Sequence, residues 1–167
     1  QAVFEDLNGR IDCILQGDAT EIGLESTVVD CTGETPLVLR AGAVSLEELQ
    51  KIVPETQNYI VSSGEEVRSP GLKHRHYSPR AKVVLVSKDD VANLAQKSAK
   101  SAFIGVSKPP FEFVRTLVCT TKKEYAHEVF AFFRECDHAG VETIYCETVE
   151  ETGIGVALMD RLRRAAI

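Results

Sequence analysis

Ala81-Lys-Val-Val-Leu-Val-Ser87, followed by Lys88-Asp-Asp-Val-Ala-Asn-Leu-Ala-Gln-Lys-Ser-Ala-Lys100, is where the fold becomes readable. The first stretch is an apolar strand. The second sets Val91, Leu94, Ala95 and Ala99 at helical spacing. The alternation continues to the C-terminus. Strands are expected at Ser101-Ala-Phe-Ile-Gly-Val106, Phe113–Cys119 and Thr143-Ile-Tyr-Cys-Glu147. A long amphipathic helix is expected over Thr121–Gly140, with Tyr125, Val129, Phe132, Phe133 and Cys136 on one side. A last helix over Gly153–Ile167 places Arg161, Arg163 and Arg164 near its C-terminus, where the helix dipole favours cations. Strands alternating with helices predict a mostly parallel sheet, so residues 81–167 are expected to form a three-layer, Rossmann-like α/β domain.

Residues 1–62 obey a different pattern. Residues 1–7 resemble the tail of a helix with Gly9 as its cap, which implies that the chain begins inside a domain. Arg10-Ile-Asp-Cys-Ile-Leu15 predicts a short strand, and residues 16–23 a turn. Glu25-Ser-Thr-Val-Val-Asp-Cys-Thr32 is dense in β-branched residues, Gly33-Glu-Thr-Pro36 is a turn, and Leu37-Val-Leu-Arg40 is a second strand. Residues 25–40 should therefore form a hairpin. Ser45 with Glu48 three residues on is a capping box for a helix from Leu46 to Ile52, which Pro54 ends. The segment has the character of an incomplete α+β unit. It is expected to be partly disordered, docked on the second domain or paired with another copy, because a hairpin cut from a larger sheet exposes edges.

Residues 63–80 separate the two patterns. Ser69-Pro-Gly-Leu-Lys-His-Arg-His-Tyr-Ser-Pro79 carries two prolines and a glycine, which exclude an interior helix or central strand. It is also locally basic, with Arg68, Lys73, His74, Arg75, His76 and Arg80 around Tyr77. Two readings stay open here, a solvated linker and an anion-binding lid.

The whole chain has 167 residues, 44% hydrophobic and 26% charged, which fits a soluble globular protein of one or two domains. With 19 basic against 25 acidic residues the net charge is −6, which argues against a role in coating nucleic acid. No apolar run approaches the roughly 18 residues of a membrane span, and no leader pattern precedes Gln1. The five cysteines (Cys13, Cys31, Cys119, Cys136 and Cys146) include no C-x-x-C pair, so buried free thiols and a cytoplasmic setting are expected.

Few residues offer chemistry. Ser26 and Thr27 place hydroxyls at a strand start, able to donate to a carboxylate or phosphate. Arg40 ends a strand beside Ala41-Gly42 and suits a phosphate clamp. His74 and His76 share a face of an extended chain but lack a third metal ligand. Tyr77 suits stacking on a base or pinning the loop. Gly153-Ile-Gly155 is half a dinucleotide fingerprint, for which tight strand–helix packing is the simpler reason. Together these residues indicate an anion site near a hinge, with no catalytic dyad.

In their order and spacing, Asp6-Leu-Asn-Gly-Arg-Ile-Asp12, Gly23-Leu-Glu-Ser-Thr-Val-Val-Asp30, Val38-Leu-Arg-Ala-Gly-Ala-Val44 and Ser69–Pro79 are far more specific than singly. The set resembles the Sua5/YrdC/YciO family, and more narrowly its long, Sua5 form, the threonylcarbamoyl-AMP synthases. The resemblance implies a nucleotidyltransferase that makes L-threonylcarbamoyladenylate from ATP, L-threonine and bicarbonate, for N6-threonylcarbamoylation of adenosine 37 in tRNA. It further implies that Ser26 contacts L-threonine, Arg40 contacts ATP, and Tyr77 closes over the nucleotide. ATP would be a substrate, with Mg2+ in the parent enzyme and no dedicated protein ligands. tRNA or proteins of the modification pathway would be transient partners, and no membrane is involved.

By the same resemblance, residues 1–62 match only the end of a YrdC-like catalytic domain, residues 63–80 the linker or lid, and residues 81–167 the C-terminal domain. The family's basic Lys/Arg nucleotide motif has no counterpart here, and the linker methionine common in the family is Leu72. The chain is therefore expected not to make the adenylate alone. The alternatives are a regulatory or nucleotide-sensing α/β module without catalysis, and an RNA contact through Arg68–Arg80 with Arg161–Arg164. Convergence of Ser26, Arg40 and Tyr77 on one cavity would favour the enzyme.

Overall fold

The computed structural model describes residues 2–18, 20–60, 78–94 and 100–166. Twelve elements run in chain order: α1 (Ala2–Leu7), β1 (Val28–Asp30), β2 (Leu37–Arg40), α2 (Leu46–Gln50), β3 (Gln57–Asn58), β4 (Lys82–Val86), α3 (Lys88–Val91), β5 (Ser101–Gly105), β6 (Arg115–Val118), α4 (Lys122–His138), β7 (Thr143–Glu147) and α5 (Ile154–Ala165).

The second half is the α/β domain its pattern predicts. Its sheet has the order β4-β7-β5-β6, and every pair is parallel. Side chains alternate across it. Val83, Ala102, Ile104, Ile144 and Cys146 face one way, against Tyr125, Ala126, Val129, Phe132 and Phe133 of α4 and Leu158, Met159 and Leu162 of α5. Each buried aliphatic or aromatic side chain there contributes about 1.5–3 kcal/mol of hydrophobic stabilisation. On the other face Val86, Phe103 and Tyr145 meet Val91 of α3, with Leu94 and Phe113 against them. This third layer is thin and largely aromatic: Phe113 lies 5.9 Å from Phe103 and 5.8 Å from Tyr145, centroid to centroid. α4 starts on Thr121, whose hydroxyl accepts the Glu124 amide. The buried Tyr125 hydroxyl is satisfied by the carbonyls of Ile104 and Glu147, each at 3.2 Å, so it ties β5 to β7.

The first half contains the expected hairpin. β1 and β2 are antiparallel, with Val28 opposite Arg40 and Asp30 opposite Leu37. The Ser45/Glu48 capping box is formed. A two-residue strand that the sequence does not announce, β3, adds to β2 in parallel.

Several expectations are corrected. Arg10–Leu15 is no strand; only an isolated bridge joins Asn8 to Ile11, and Leu15 is 93% exposed. β-propensity alone does not hold a strand that has no partner. β1 begins at Val28 rather than Glu25, because Thr27 turns its hydroxyl to Val44, donating to the carbonyl (2.6 Å) and accepting from the amide (3.1 Å). α2 ends at Gln50, two residues short of Ile52. Of the cysteines, Cys119, Cys136 and Cys146 are buried, but Cys13 and Cys31 are exposed. The apolar neighbours of Cys13 line no core. Of the helix expected over residues 88–100, only α3, Lys88–Val91, is helical among the described residues; residues 92–94 leave it, and residues 95–99 lie outside the described set.

Between the halves, the first docks on the second. Arg134 of α4 donates to Asp6 at 2.9 Å and to Glu5 at 2.8 Å. Leu24 packs into the main core. Of the three outcomes expected for residues 1–62, docking is the one their described residues adopt.

Candidate functional site

Ser26 and Arg40 meet. The strand pairing that sets Arg40 opposite Val28 also turns its side chain toward the residues that precede β1. The Arg40 Nε donates to the Ser26 carbonyl at 3.1 Å, and Nη2 donates to the Ser26 hydroxyl at 3.2 Å. Ser26 is exposed and Arg40 is half-buried. Thr27 turns away and serves the fold through Val44.

The backbone around the pair leaves little slack. A Cβ on Gly42 would stand 2.3 Å from the Thr27 amide nitrogen and 2.4 Å from the Glu25 carbonyl oxygen. Only glycine lets the chain after Arg40 lie directly against the segment that carries Ser26. The Arg-Ala-Gly stretch therefore combines a guanidinium with the close approach that brings it to a hydroxyl. This is the geometry of a small clamp for an anion: one hydroxyl donor from the segment before β1 and a guanidinium from the end of β2.

Glu25 and Ala41, the neighbours of these two residues, are both held by Arg161 of α5. Its Nε donates to Glu25 Oε2 at 2.7 Å and its Nη2 to the Ala41 carbonyl at 3.4 Å. A cavity of about 160 Å³ lies beside them, lined by Val38, Ala41 and Ser45 on one side and Glu151, Gly153 and Val156 on the other. The Glu47 carboxyl is held below its usual range by its own backbone N–H, with smaller contributions from the Ser45 hydroxyl and the Gly153 amide.

Tyr77, His74 and His76 lie outside the described residues, as does the linker from residue 61 to 77. Arg80, at its end, donates its backbone N–H to Asp137 at 2.9 Å. In the RNA contact weighed as an alternative, Arg68–Arg75 lie outside the described residues, and the arginines of α5 are each paired with a carboxylate. Arg161 is buried and pairs with Glu25 and Asp160, Arg163 pairs with Glu151, and Arg164 with Asp160. The acidic residues that the linear reading passed over cancel the charge. Gly153-Ile-Gly155 belongs to packing, since a Cβ on Gly155 would stand 2.1 Å from the Glu150 carbonyl oxygen.

Open parallel sheets bind ligands at the carboxyl ends of strands whose following connections diverge. Here those strands are β5 and β7. The position between them is filled by Glu147, fully buried, which accepts from the amides of Val106 and Ser107 and from the Ser107 hydroxyl, each at 2.7 Å. The chain's own carboxylate sits where an anionic ligand would. The reading of residues 81–167 as a nucleotide-sensing module thus finds the customary place already taken. Sequence reasoning missed Glu147 and Arg161, the first because a strand-end Glu looks like surface, the second because it was counted in a basic run.

Comparison with known proteins agrees with the fold. The family model described as "Threonylcarbamoyl-AMP synthase, C-terminal domain" matches residues 44–167, and one described as "Telomere recombination" matches residues 1–42. The threonylcarbamoyl-AMP synthase of Pyrococcus abyssi is 37% identical over 98% of this chain and 52% of its own length. Those of Schizosaccharomyces pombe and Bacillus subtilis are 32% and 29% identical, with 47% and 51% of their lengths covered. The chain thus spans about half the length of these relatives. Among solved structures, P. abyssi Sua5 complexed with L-threonine superposes with a TM-score of 0.81 at 35% identity, over 98% of this chain and 52% of that one. A P. abyssi Sua5 in which an adjacent histidine and tyrosine are replaced by alanine gives 0.82 at 35% identity, covering 98% and 51%. With a matching model that covers most of its residues, this chain belongs to the Sua5 family of threonylcarbamoyl-AMP synthases.

Proposed function

We propose that this chain supplies the C-terminal part of a threonylcarbamoyl-AMP synthase, which condenses L-threonine and bicarbonate with ATP and releases pyrophosphate. The L-threonylcarbamoyladenylate formed serves modification of adenosine 37 in tRNA, in the cytoplasm. Residues 1–62 are the end of the YrdC-like catalytic domain, 63–80 the lid and 81–167 the C-terminal domain. The observation that carries this reading is the meeting of Arg40 with Ser26. A guanidinium suited to phosphate within hydrogen-bond reach of a hydroxyl suited to an amino-acid carboxylate supports a reaction that joins the two.

Ser26 binds L-threonine and Arg40 binds ATP. A P. abyssi relative complexed with L-threonine supports L-threonine as the ligand. Tyr77 closes over the nucleotide, and shields a carbamoyl adenylate that water would destroy. His76-Tyr77 is the only His-Tyr dipeptide in this chain, and matches the kind of pair replaced in the second P. abyssi structure. Among the described residues no cluster of three His, Cys, Asp or Glu side chains is placed to hold a metal. Mg2+ enters with the ATP phosphates.

Pyrophosphate release that needs all three substrates tests the reading. It is measured on this chain and on the chain joined to the N-terminal half found in its relatives. The joined protein is expected to be active and the chain alone inactive. In the joined protein, Ser26→Ala should raise KM for L-threonine and Arg40→Ala KM for ATP, each by about tenfold or more. Unchanged KM values for both would overturn the assignment.

A further inference from the structure

We propose that Arg161 is a positioning residue for the substrate site: from α5 it clamps Glu25 and Ala41, and so fixes Ser26 and Arg40, each one residue away. The inference rests on the reading of Ser26 and Arg40 as substrate contacts. It assigns the C-terminal domain a task, which is to hold the L-threonine segment from behind.

The segment from Gly23 to Thr27 is gripped along its length. Gly23 lies so close to α4 that a Cβ would stand 2.6 Å from the His127 carbonyl oxygen, and its φ is +72°. His127 Nε2 donates to the Thr20 carbonyl just ahead, at 3.1 Å. Leu24 enters the core beneath. Glu25 turns to Arg161, and Ser26 then stands exposed. The side chain of Arg161 is only 6% exposed, and its remaining nitrogen pairs with Asp160, which Arg164 also holds at 3.0 Å. The guanidinium is thus aimed by a second carboxylate before it reaches the hairpin.

A buried ion pair of this kind is a poor device for stability, because desolvation offsets most of its attraction. Its geometry does something an apolar contact cannot. One rigid, planar fork reaches both flanks of the hairpin at once, Glu25 by its side chain and Ala41 by its backbone. The Ser26–Arg40 contact, made by their own hydrogen bonds, is then braced by a single residue outside the hairpin.

The test uses the full-length enzyme. Arg161→Gln is expected to raise KM for L-threonine by about tenfold or more, with kcat changed less, and Arg161→Lys to restore part of the loss. Glu25→Gln removes the same clamp from the more exposed side, and serves if Arg161→Gln folds poorly. The two changes together should cost little more than either alone. Hydrogen exchange at residues 23–27 should quicken in both variants, while exchange in β5 and β7 does not. Additive effects, or a KM that rises only in step with global unfolding, would overturn the proposal. Ser26→Ala runs alongside. A raised KM there with an unmoved KM in Arg161→Gln defeats the positioning role alone. Unmoved values in both defeat the substrate assignment, and the positioning role with it.

Discussion

Residues 2–60 and residues 78–166 are held together by different physics. Of the buried apolar side chains among the described residues, only Val38 lies in residues 2–60. Of the large apolar side chains left exposed, all but Val114 and Val118 belong to the first part: Val3, Phe4, Ile14, Leu15 and Ile52 are examples. The α/β part is stabilised by burial on both faces of a parallel sheet. The hairpin part keeps its shape by specific polar contacts: a capping box, the Thr27–Val44 pair, Arg134 on Glu5 and Asp6, and Arg161 on Glu25. The candidate substrate residues lie in the second kind of region. A site that must open to ligands cannot be covered by its own core, so its precision is borrowed from a rigid neighbour.

Thiol chemistry should break the molecule along this line, and with the largest contrast. Burial pushes the Cys119 and Cys136 thiols up to about 12, and the Cys146 thiol higher still. All three sit in the α/β part, whereas the exposed Cys13 and Cys31 sit in the hairpin part. Timed alkylation read by mass spectrometry should modify the exposed pair about a thousandfold faster. Comparable rates at all five would mean that the α/β core opens as readily as the hairpin region.

Glu147→Ala is the sharpest blow to the self-sufficient part. It strips the partner from two backbone amides and a hydroxyl at the centre of the sheet. A loss of about 2–4 kcal/mol is expected in denaturant unfolding followed by tyrosine fluorescence. A loss under about 1 kcal/mol would show that water reaches the Val106 and Ser107 amides. Gly42→Ala is its counterpart in the polar part. The new methyl meets backbone that cannot rotate aside, so the strand after Arg40 must move. A cost of about 1–3 kcal/mol is expected, felt by the hairpin. Exchange should quicken at residues 25–44 and stay unchanged in β7. Protection lost equally in β7 would show the two parts to be one cooperative unit.

How much could be read in advance follows the same division. The strands from Lys82 to Glu147 and the long helix from Lys122 were legible because buried elements impose unbroken apolar patterns on the chain. The hairpin and the Ser45 cap were legible because turns and caps carry their own local chemistry. Arg10–Leu15 misled, since a β-branched run says nothing of whether a neighbouring strand exists. β3 escaped notice, because two residues acquire strand character only from the partner beside them.

The sequence by itself determined the α/β class, the hairpin, the family and the choice of Ser26 and Arg40. Apolar periodicity, turn residues and motif spacing are all written along the chain. Only the tertiary structure decided that Arg40 reaches Ser26, that Glu147 fills the end of the sheet, and that Arg161 is a buried clamp rather than part of a basic surface. Each of these is a pairing across 14 to 136 residues of sequence. A charged side chain looks the same in a linear chain whether water or another residue's carboxylate or carbonyl will face it. The difference lies in desolvation and partner geometry, which exist only after the chain has folded.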